Sequence, residues 1–489
     1  MIAWIPELLY VDRHFVAGSA LICDEAGSIA KIAEVASLRD EKRINLPRRA
    51  LLPGMANAHS HAFQRVVRGR TEYRTSPTDS FWTWREMMYS AATRLTPEDV
   101  YDASRMAFLE MALSGITAVG EFHYLHRQPD GTPYDDPNLL AKEVMCAAGD
   151  VGLRIALQRV AYARSGFQKE PNPRQARFIE TSSETYLKNL EALATSVSSP
   201  AVREGSADHA NVEENKPALS DDRAADRTWV SIAPHSVRAV PLDYLKDVTA
   251  YAGAHDLKVH MHVAEQPAEV SACIEEHGRT PVALLQTEGL LNERFTAVHA
   301  IHVTPKAIAA FAETGALVCA CPTTERNLGD GVAPADEYQK HGIAVCLGTD
   351  SHTQIDLWED ARELEYHLRL QKLARAVLDD GSRSSGLRPQ ALAAYLFDCA
   401  SRNGARSIGA PSGELNSGQP ADFFTIDLDD PSIAGASTED LLPAIIFSSS
   451  RSAVREVVIG GQPVVSEGRH LLQEEIVERF NELQKKLWS

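Results

Sequence analysis

The chain has 489 residues, 44% of them hydrophobic and 24% charged, which fits a globular enzyme of two domains or of one large barrel with an appendage. Its net charge of −18 argues against nucleic acid and against an anionic membrane face, because both partners require a basic surface. No apolar run approaches a membrane span, the first residues lack the basic part of a signal peptide, and the seven cysteines suggest no disulfide framework. We therefore expect a protein of the reduced cytoplasm.

Both ends of the chain are predicted to be rich in β-strands. Residues 1–52 read as short strands broken by turns, and the same texture returns over residues 412–472. There the stretch "REVVIGGQPVV" alternates around a Gly-Gly pair, which is typical of a hairpin. Residues 473–489 read as an amphipathic helix that packs on the rest of the chain or on a neighbouring subunit.

The middle of the chain, residues 53–411, alternates apolar strand-like runs with amphipathic helices such as "VYDASRMAFLEMALS". The eight runs are "LLPGMANAHSH", "GITAVGEF", "LRIALQRVAY", "WVSIAPHS", "LKVHMHVAE", "FTAVHAIHV", "GALVCACPTT" and "GIAVCLGTDSH". Strands that alternate with helices indicate parallel βαβ units, and eight such units predict a closed (β/α)₈ barrel. Residues 196–228 are polar, acidic and free of Phe, Trp and Tyr, so we interpret them as a surface insertion.

Polar residues cluster where these predicted strands end. His59 and His61 in "NAHSHAFQR" are two residues apart, so on a strand both imidazoles point to one face. A lone H-x-H is usually chance in a chain with 17 histidines, but later strand ends add His262, Glu265, His299 and Asp350. Barrel enzymes build their active sites at this rim, and three imidazoles with one carboxylate suit Zn²⁺ or Fe²⁺.

Other residues of the same types have structural interpretations. His260 lies deeper on its strand than the candidate ligand that follows it, which favours a hydrogen-bonded place inside the barrel. His302 falls beyond its strand, so it is interpreted as a loop residue or as a residue that contacts a metal ligand rather than the ion. His352 is interpreted as a support for the loop after the eighth strand. Cys319 and Cys321 are interpreted as small core residues. No lysine ends a middle strand, so a carbamate-bridged pair of metal ions is not favoured.

The motifs "HSH", "HVAE", "VHAIH" and "GTDS", in this order, resemble the amidohydrolase superfamily and its mononuclear deaminase branch. "ASRNGARSIG" and "GQPADFFTID" resemble the closing signatures of that superfamily, so the similarity covers nearly the whole chain. The resemblance implies an α/β fold: a distorted (β/α)₈ TIM barrel with a small β-sandwich domain built from both chain ends, and a homodimer. It also implies one divalent metal ion, with Zn²⁺ favoured over Fe²⁺, held by His59, His61, His262 and Asp350.

The resemblance also implies catalytic roles. Glu265 would be the proton shuttle, although a regular strand would turn it away from the ligand three residues earlier, so the chain must enter a loop there. His299 would polarise the attacking water or the tetrahedral intermediate. Asp350 would accept the proton of that water as well as bind the metal ion.

Within the branch, "GMANAHSHAFQRVVRG" and "CPTTERNLGDG" resemble most the deiminases that remove ammonia from a formimidoyl derivative of glutamate in histidine breakdown. An acidic protein repels such a dicarboxylate at long range, so its capture needs local arginines. Arg85 in "WTWREM" and Arg238 in "PHSVRAV" are the candidates, against the alternative of solvated surface residues. The remaining candidate substrate contacts are Gln64, Tyr124 and His235.

Several alternatives stay open. Glu325 and Arg326 in "TTERN" either shape the pocket or form a structural ion pair. A rival function is another deaminase of the branch acting on guanine, an adenosine derivative or a triazine, which would need stacking surfaces rather than two arginines. A non-catalytic scaffold is the other rival, but such a protein typically loses metal ligands and here the set is complete.

Overall fold

The computed structural model describes residues 1–73, 81–167, 169, 172–198, 227–379 and 390–489. The first five strands are β1 (Ile2–Val11), β2 (His14–Ala17), β3 (Ser19–Cys23), β4 (Ile29–Glu34) and β5 (Lys42–Pro53). The next eight are β6 (Met55–Ser60), β7 (Ile116–His123), β8 (Arg154–Ala161), β9 (Thr228–Pro234), β10 (Val259–Val263), β11 (Phe295–His299), β12 (Leu317–Ala320) and β13 (Val345–Leu347). The last four are β14 (Phe423–Asp427), β15 (Val454–Ile459), β16 (Gln462–Ser466) and β17 (Arg469–His470).

Helices connect and cover these strands. In the first half of the described chain they are α1 (Phe81–Ala92), α2 (Pro97–Leu113), α3 (Leu139–Val151), α4 (Ser183–Ser198), α5 (Leu242–Ala254), α6 (Pro267–His277) and α7 (Pro281–Thr287). The others are α8 (Pro305–Thr314), α9 (Pro322–Leu328), α10 (Ala335–Lys340), α11 (Leu357–Lys372), α12 (Ala391–Ala400), α13 (Arg402–Ile408), α14 (Leu441–Ser448) and α15 (Gln473–Trp488). Many begin with proline, whose fixed φ and missing N–H suit the first helical turn.

The middle eight strands form one parallel sheet in chain order, β6 to β13, as the alternation of strands and helices predicted. Its two ends meet through backbone hydrogen bonds: Asp350 N donates to His59 O at 3.0 Å, and His61 N donates to Asp350 O at 3.1 Å. Gly348 makes this approach feasible, because a Cβ there would lie 2.7 Å from the Cβ of His59. The predicted distorted barrel is confirmed, and it closes beside the predicted metal ligands.

The remaining nine strands form a second sheet from both chain ends, in the order β17-β16-β15-β14-β5-β1-β3-β4, with β2 paired to β1. Strand β5 joins the two ends, since it pairs parallel with β1 and antiparallel with β14. Trp4 and Phe423 pack edge to face at 5.2 Å on one side of this sheet. The predicted hairpin is β15–β16, and its Gly460 and Gly461 have the positive φ of 57° and 71° that such a turn requires.

The C-terminal helix α15 packs on α2 of the same chain. Its buried residues follow helical spacing: Ile476, Phe480, Leu483 and Leu487. Arg105 on α2 is paired with Glu475 at 2.8 Å. Residues 199–226, most of the predicted polar insertion, lie outside the described residues. Among the described helices, none combines the length and the hydropathy that crossing a membrane requires.

Candidate metal centre and substrate cavity

The four predicted metal ligands meet at the rim of the barrel. The Nε2 atom of His59 lies 3.2 Å from that of His61 and 3.1 Å from that of His262. Asp350 Oδ1 lies 3.2 Å from His61 Nε2 and 3.5 Å from His59 Nε2. All four side chains are buried. Ends of β6, β10 and β13 therefore deliver one carboxylate and three imidazoles to a single point.

The hydrogen bonds of this cluster fit a metal ion. His61 Nδ1 donates to the carbonyl of Phe122 at 2.9 Å, and His262 Nδ1 donates to the carbonyl of His235 at 3.2 Å. Because a carbonyl only accepts, Nδ1 carries the proton in both rings, and a ring in its neutral form then has a lone pair on Nε2. Burial lowers the pKa of His59 to about 3 and the pKa of His262 well below its ordinary value, so both rings are neutral. Converging lone pairs and a carboxylate repel one another unless a cation lies among them, and three nitrogens with one oxygen suit Zn²⁺.

The strands end at this rim in left-handed turns. Ala264 has a φ of 53°, His299 a φ of 69° and Asp350 a φ of 45°. Such a conformation costs on the order of 1–3 kcal/mol for a residue with a side chain, and it is typical of functional sites. The turn at Ala264 brings Glu265 into the cavity beside the donors, which is the loop that the sequence predicted there.

His299 stands among three carboxylates. Its Nε2 lies 3.8 Å from Glu265 Oε1 and 3.8 Å from Asp350 Oδ2, and its Nδ1 lies 3.3 Å from Glu325 Oε1. Burial opposes a charge on the ring, but the three carboxylates outweigh burial and raise the pKa of His299 to about 10. Burial likewise raises the pKa of Glu265. For Asp350, burial is outweighed by the two neighbouring imidazoles, which lower its pKa well below the ordinary value.

A cavity opens in front of these groups. The cavity wall includes every residue that the sequence proposed for catalysis or substrate binding: Gln64, Arg85, Tyr124, His235, Arg238, Glu265, His299 and Asp350. Gln64 Nε2 donates to Tyr124 Oη at 2.8 Å, while Gln64 Oε1 is buried without a partner. That oxygen is therefore a free acceptor inside the cavity.

The two arginines of the cavity have no ion pair within the part of the chain that the structure describes. Nη1 of Arg85 is buried without a partner, and its guanidinium lies 5.1 Å from the ring centroids of Trp82 and Tyr89. Arg238 lies beyond β9 and close to His235, whose pKa burial and the Arg238 charge lower well below the ordinary value. Both arginines are half-buried in the wall of the cavity, so both positions are suited to an anionic ligand.

Sequence reasoning missed the apolar and aromatic part of the wall. These residues are Phe81, Trp84, Met88, Tyr89, Tyr162, Phe178 and Leu328. Tyr162 directly follows β8 at the same rim, so its place on the barrel could have revealed it. Phe178 lies in a segment without strand or helix periodicity, and no pattern in the sequence marks it.

The structural interpretations of the other histidines agree with their contacts. His260 Nε2 donates to the carbonyl of Ser407 at 2.9 Å inside the barrel, and His302 Nε2 donates to the carbonyl of Asp330 at 2.8 Å. His352 Nε2 lies 3.0 Å from the hydroxyl of Ser60, the last residue of β6.

The remaining alternatives are also settled by contacts. Cys319 and Cys321 are fully buried, as the core interpretation requires, and Cys321 also lies close to His299 and Asp350. Of the pair that the sequence left open, Glu325 contacts the catalytic candidate His299. Arg326 instead forms an ion pair with Glu363 at 2.7 Å, away from the cavity.

The family model for the amidohydrolase family matches residues 50–464, and the chain belongs to that family. The chain is 37% identical over 434 residues to the formimidoylglutamate deiminase of Pseudomonas aeruginosa, covering 88% of each chain. It is 25% identical over 480 residues to the 5-methylthioadenosine/S-adenosylhomocysteine deaminase of Haloarcula marismortui, covering 97% of this chain and 93% of that one. A crystal structure of an amidohydrolase from Brucella melitensis superposes with a TM-score of 0.85 at 32% identity, covering 100% and 99% of the two chains.

Proposed function

We propose that this chain hydrolyses N-formimidoyl-L-glutamate to N-formyl-L-glutamate and ammonia. The observation that carries the proposal is the pair of guanidiniums, Arg85 and Arg238, which line one cavity together with the metal donors and form no ion pair among the described residues. Two cations suit the two carboxylates of a glutamate derivative. The relative with 37% identity carries the name of this activity.

The donors His59, His61, His262 and Asp350 would hold one divalent ion, with zinc the favoured metal for three nitrogens and one oxygen. When bound, such an ion supplies Lewis-acid activation of water near neutral pH. The neutral imidazoles and their carbonyl partners fix the orientation of the site before substrate arrives.

The geometry suggests which arginine takes which carboxylate. In the substrate, only the amidine nitrogen and Cα separate the reacting carbon from the α-carboxylate. The ring of His235 lies 4.9 Å from the ring of His262, and Arg238 follows three residues later on the same loop. We therefore assign the α-carboxylate to Arg238 and the more distant γ-carboxylate to Arg85, with Gln64 Oε1 accepting a hydrogen bond from the amidine N–H.

The proton transfers fall to three residues. Asp350 accepts a proton from the attacking water while the oxygen of that water bonds to the formimidoyl carbon. Protonated His299 donates a hydrogen bond that stabilises the charge that develops there. Glu265 carries this proton to the imino nitrogen, which gives a tetrahedral intermediate with one hydroxyl group. The proton of that hydroxyl then passes to the same nitrogen as the formyl carbonyl forms, the carbon–nitrogen bond breaks, and ammonia leaves.

A second candidate is deamination of a heterocycle such as guanine or an adenosine derivative. The aromatic part of the wall, which includes Tyr162 and Phe178, favours it because flat rings stack on such surfaces. Against it, a neutral heterocycle would supply no counter-charge to either guanidinium.

A substrate panel separates the two candidates. Purified protein loaded with zinc is incubated with formimidoylglutamate, guanine or adenosine, and released ammonia is measured. We expect ammonia from formimidoylglutamate alone. Ammonia from a heterocycle with none from formimidoylglutamate would replace the proposal with the second candidate.

We further propose that the enzyme acts in histidine breakdown in the cytoplasm as a homodimer. The family resemblance supports this proposal, and sedimentation of the purified chain tests its oligomeric part. A sedimentation coefficient of the monomer at micromolar concentration would contradict it.

A further inference from the structure

One buried amide connects two tyrosines of the cavity wall. Gln175 ends the short 3₁₀ helix Pro173–Gln175 and is 1% exposed. Its Nε2 donates to Tyr89 Oη at 2.8 Å and to Tyr162 Oη at 2.5 Å. Both tyrosines line the cavity, although neither belonged to the site predicted from the sequence.

This arrangement determines where the phenol protons go. Because an amide N–H only donates, both phenol oxygens act as acceptors toward Gln175. Each phenol keeps one proton to donate, and the two hydroxyls can use at most one of these protons between themselves. In the described part of the chain no other acceptor lies within reach of either hydroxyl. At least one O–H is therefore left to donate to a ligand in the cavity.

The two tyrosines stand beside the two arginines. Tyr89 lies one helical turn after Arg85 on α1, and the Arg85 guanidinium is 5.1 Å from its ring. The ring of Tyr162 lies 4.6 Å from the ring of His235, on the side of the cavity that carries Arg238. Gln175 thus links the two positively charged sides of the cavity through a pair of hydroxyls, at least one of which is free to donate.

We propose that Gln175 is a positioning residue that holds Tyr89 and Tyr162 so that at least one of their hydroxyls donates a hydrogen bond to a carboxylate of the substrate. The amide makes the wall between the arginines a donor surface, which selects a doubly anionic substrate over a neutral one. The inference rests on the proposed function and adds to it the residues that set its specificity. Because Gln175 acts through binding, its loss raises KM and leaves kcat nearly unchanged.

The test is a set of variants assayed with formimidoylglutamate: Gln175→Met, Tyr89→Phe with Tyr162→Phe, and the three changes combined. We expect Gln175→Met to raise KM about tenfold, which is the size of one hydrogen bond to a charged group. The double phenylalanine variant should raise KM at least as much, and adding Gln175→Met to it should change KM less than about twofold, because the interaction no longer exists.

Replacing the donor group of Gln175 by an acceptor shows whether the side chain orients the tyrosines or only fills space. Gln175→Glu keeps the size of the side chain but accepts the phenol protons, so it should raise KM more than Gln175→Met does. The matched control is Gln339→Met, since Gln339 Nε2 donates to the carbonyl of Leu378 at 2.8 Å away from the cavity. We expect that control to leave KM unchanged.

Three outcomes would overturn the inference: an unchanged KM in Gln175→Met, a fall confined to kcat, or a full additional effect of Gln175→Met in the combined variant. If Gln175→Met does not fold, the double phenylalanine variant decides, and an unchanged KM in that variant overturns the inference. A wild-type protein without turnover of formimidoylglutamate would instead contradict the proposed function and the inference together.

Discussion

The two ends of the cavity are built in opposite ways. At the metal end, His61 and His262 are oriented by backbone carbonyls of neighbouring barrel strands, and their remaining lone pairs converge on one point. At the far end, Arg85 and Arg238 have no ion pairs within the described residues, and a helix and a loop carry them rather than strands. The difference suggests a division of labour, with chemistry fixed by the sheet and substrate selection left to the helices and loops around it.

The largest expected effect is a loss of kcat from a substitution at the metal end of the cavity. Glu265→Gln removes the proton carrier but keeps the shape of the side chain, so kcat should fall by about 10²- to 10⁴-fold with little change in KM. Steady-state ammonia release measures both constants. The matched control is Glu275→Gln on the exposed face of α6, which should behave as the wild type does. A kcat that survives in Glu265→Gln would remove Glu265 from the mechanism.

The next effect is a rise in KM from substitutions at the far end of the cavity. Arg85→Met and Arg238→Met each remove a charged donor, so KM for formimidoylglutamate should rise about 10- to 100-fold while kcat changes much less. Arg326→Met is the matched control, because Arg326 pairs with Glu363 outside the cavity and its loss should leave KM unchanged. If both cavity variants kept the wild-type KM, the dicarboxylate assignment would be wrong.

A third effect concerns stability behind the far wall. Arg159 and Glu180 form a buried ion pair there, and the backbone N–H of Glu180 donates to the carbonyl of Tyr162 at 2.8 Å. Burial alone would raise the pKa of Glu180, but Arg159 outweighs burial and lowers that pKa to about 2. Since the folded pKa is the lower one, the stabilisation is complete above about pH 4.5 and is lost as the pH falls toward 2.

Glu180→Gln tests this pair, because it leaves a buried guanidinium without its partner. The free energy of unfolding in urea should drop by about 3–5 kcal/mol at pH 7. The difference from the wild type should narrow at pH 3, where the wild-type carboxylate loses part of its advantage. Glu439→Gln, an exposed change, serves as the control. An equal loss of stability at both pH values would contradict the charge-based explanation.

The same division explains how much the sequence could predict. Each of the eight predicted runs overlaps one of the barrel strands β6 to β13, because strands buried on both faces read as continuous apolar runs. The four donors could be found because strand periodicity and barrel topology place strand ends at one rim. The close contact between Gly348 and His59, where the two ends of the barrel sheet meet, was not predicted, because it depends on tertiary structure.

The residues at the far end of the cavity could not be predicted from local sequence patterns. Arg85 and Arg238 were identified by resemblance, because nothing in their spacing implies that they face one cavity. Gln175 and Phe178 lie in an irregular segment whose position depends on long-range contacts such as the one from Glu180 to Tyr162. Local patterns carry no information about contacts of that kind.

Counting bound metal tests the central claim most directly, namely that four side chains far apart in the sequence hold one ion opposite two guanidiniums. The protein is loaded with zinc, desalted and analysed by mass spectrometry, beside His262→Ala treated in the same way. We predict close to one divalent ion per wild-type chain and almost none in the variant, with the same circular dichroism spectrum for both. A wild-type chain without metal, or a variant that keeps its full share, would contradict the account.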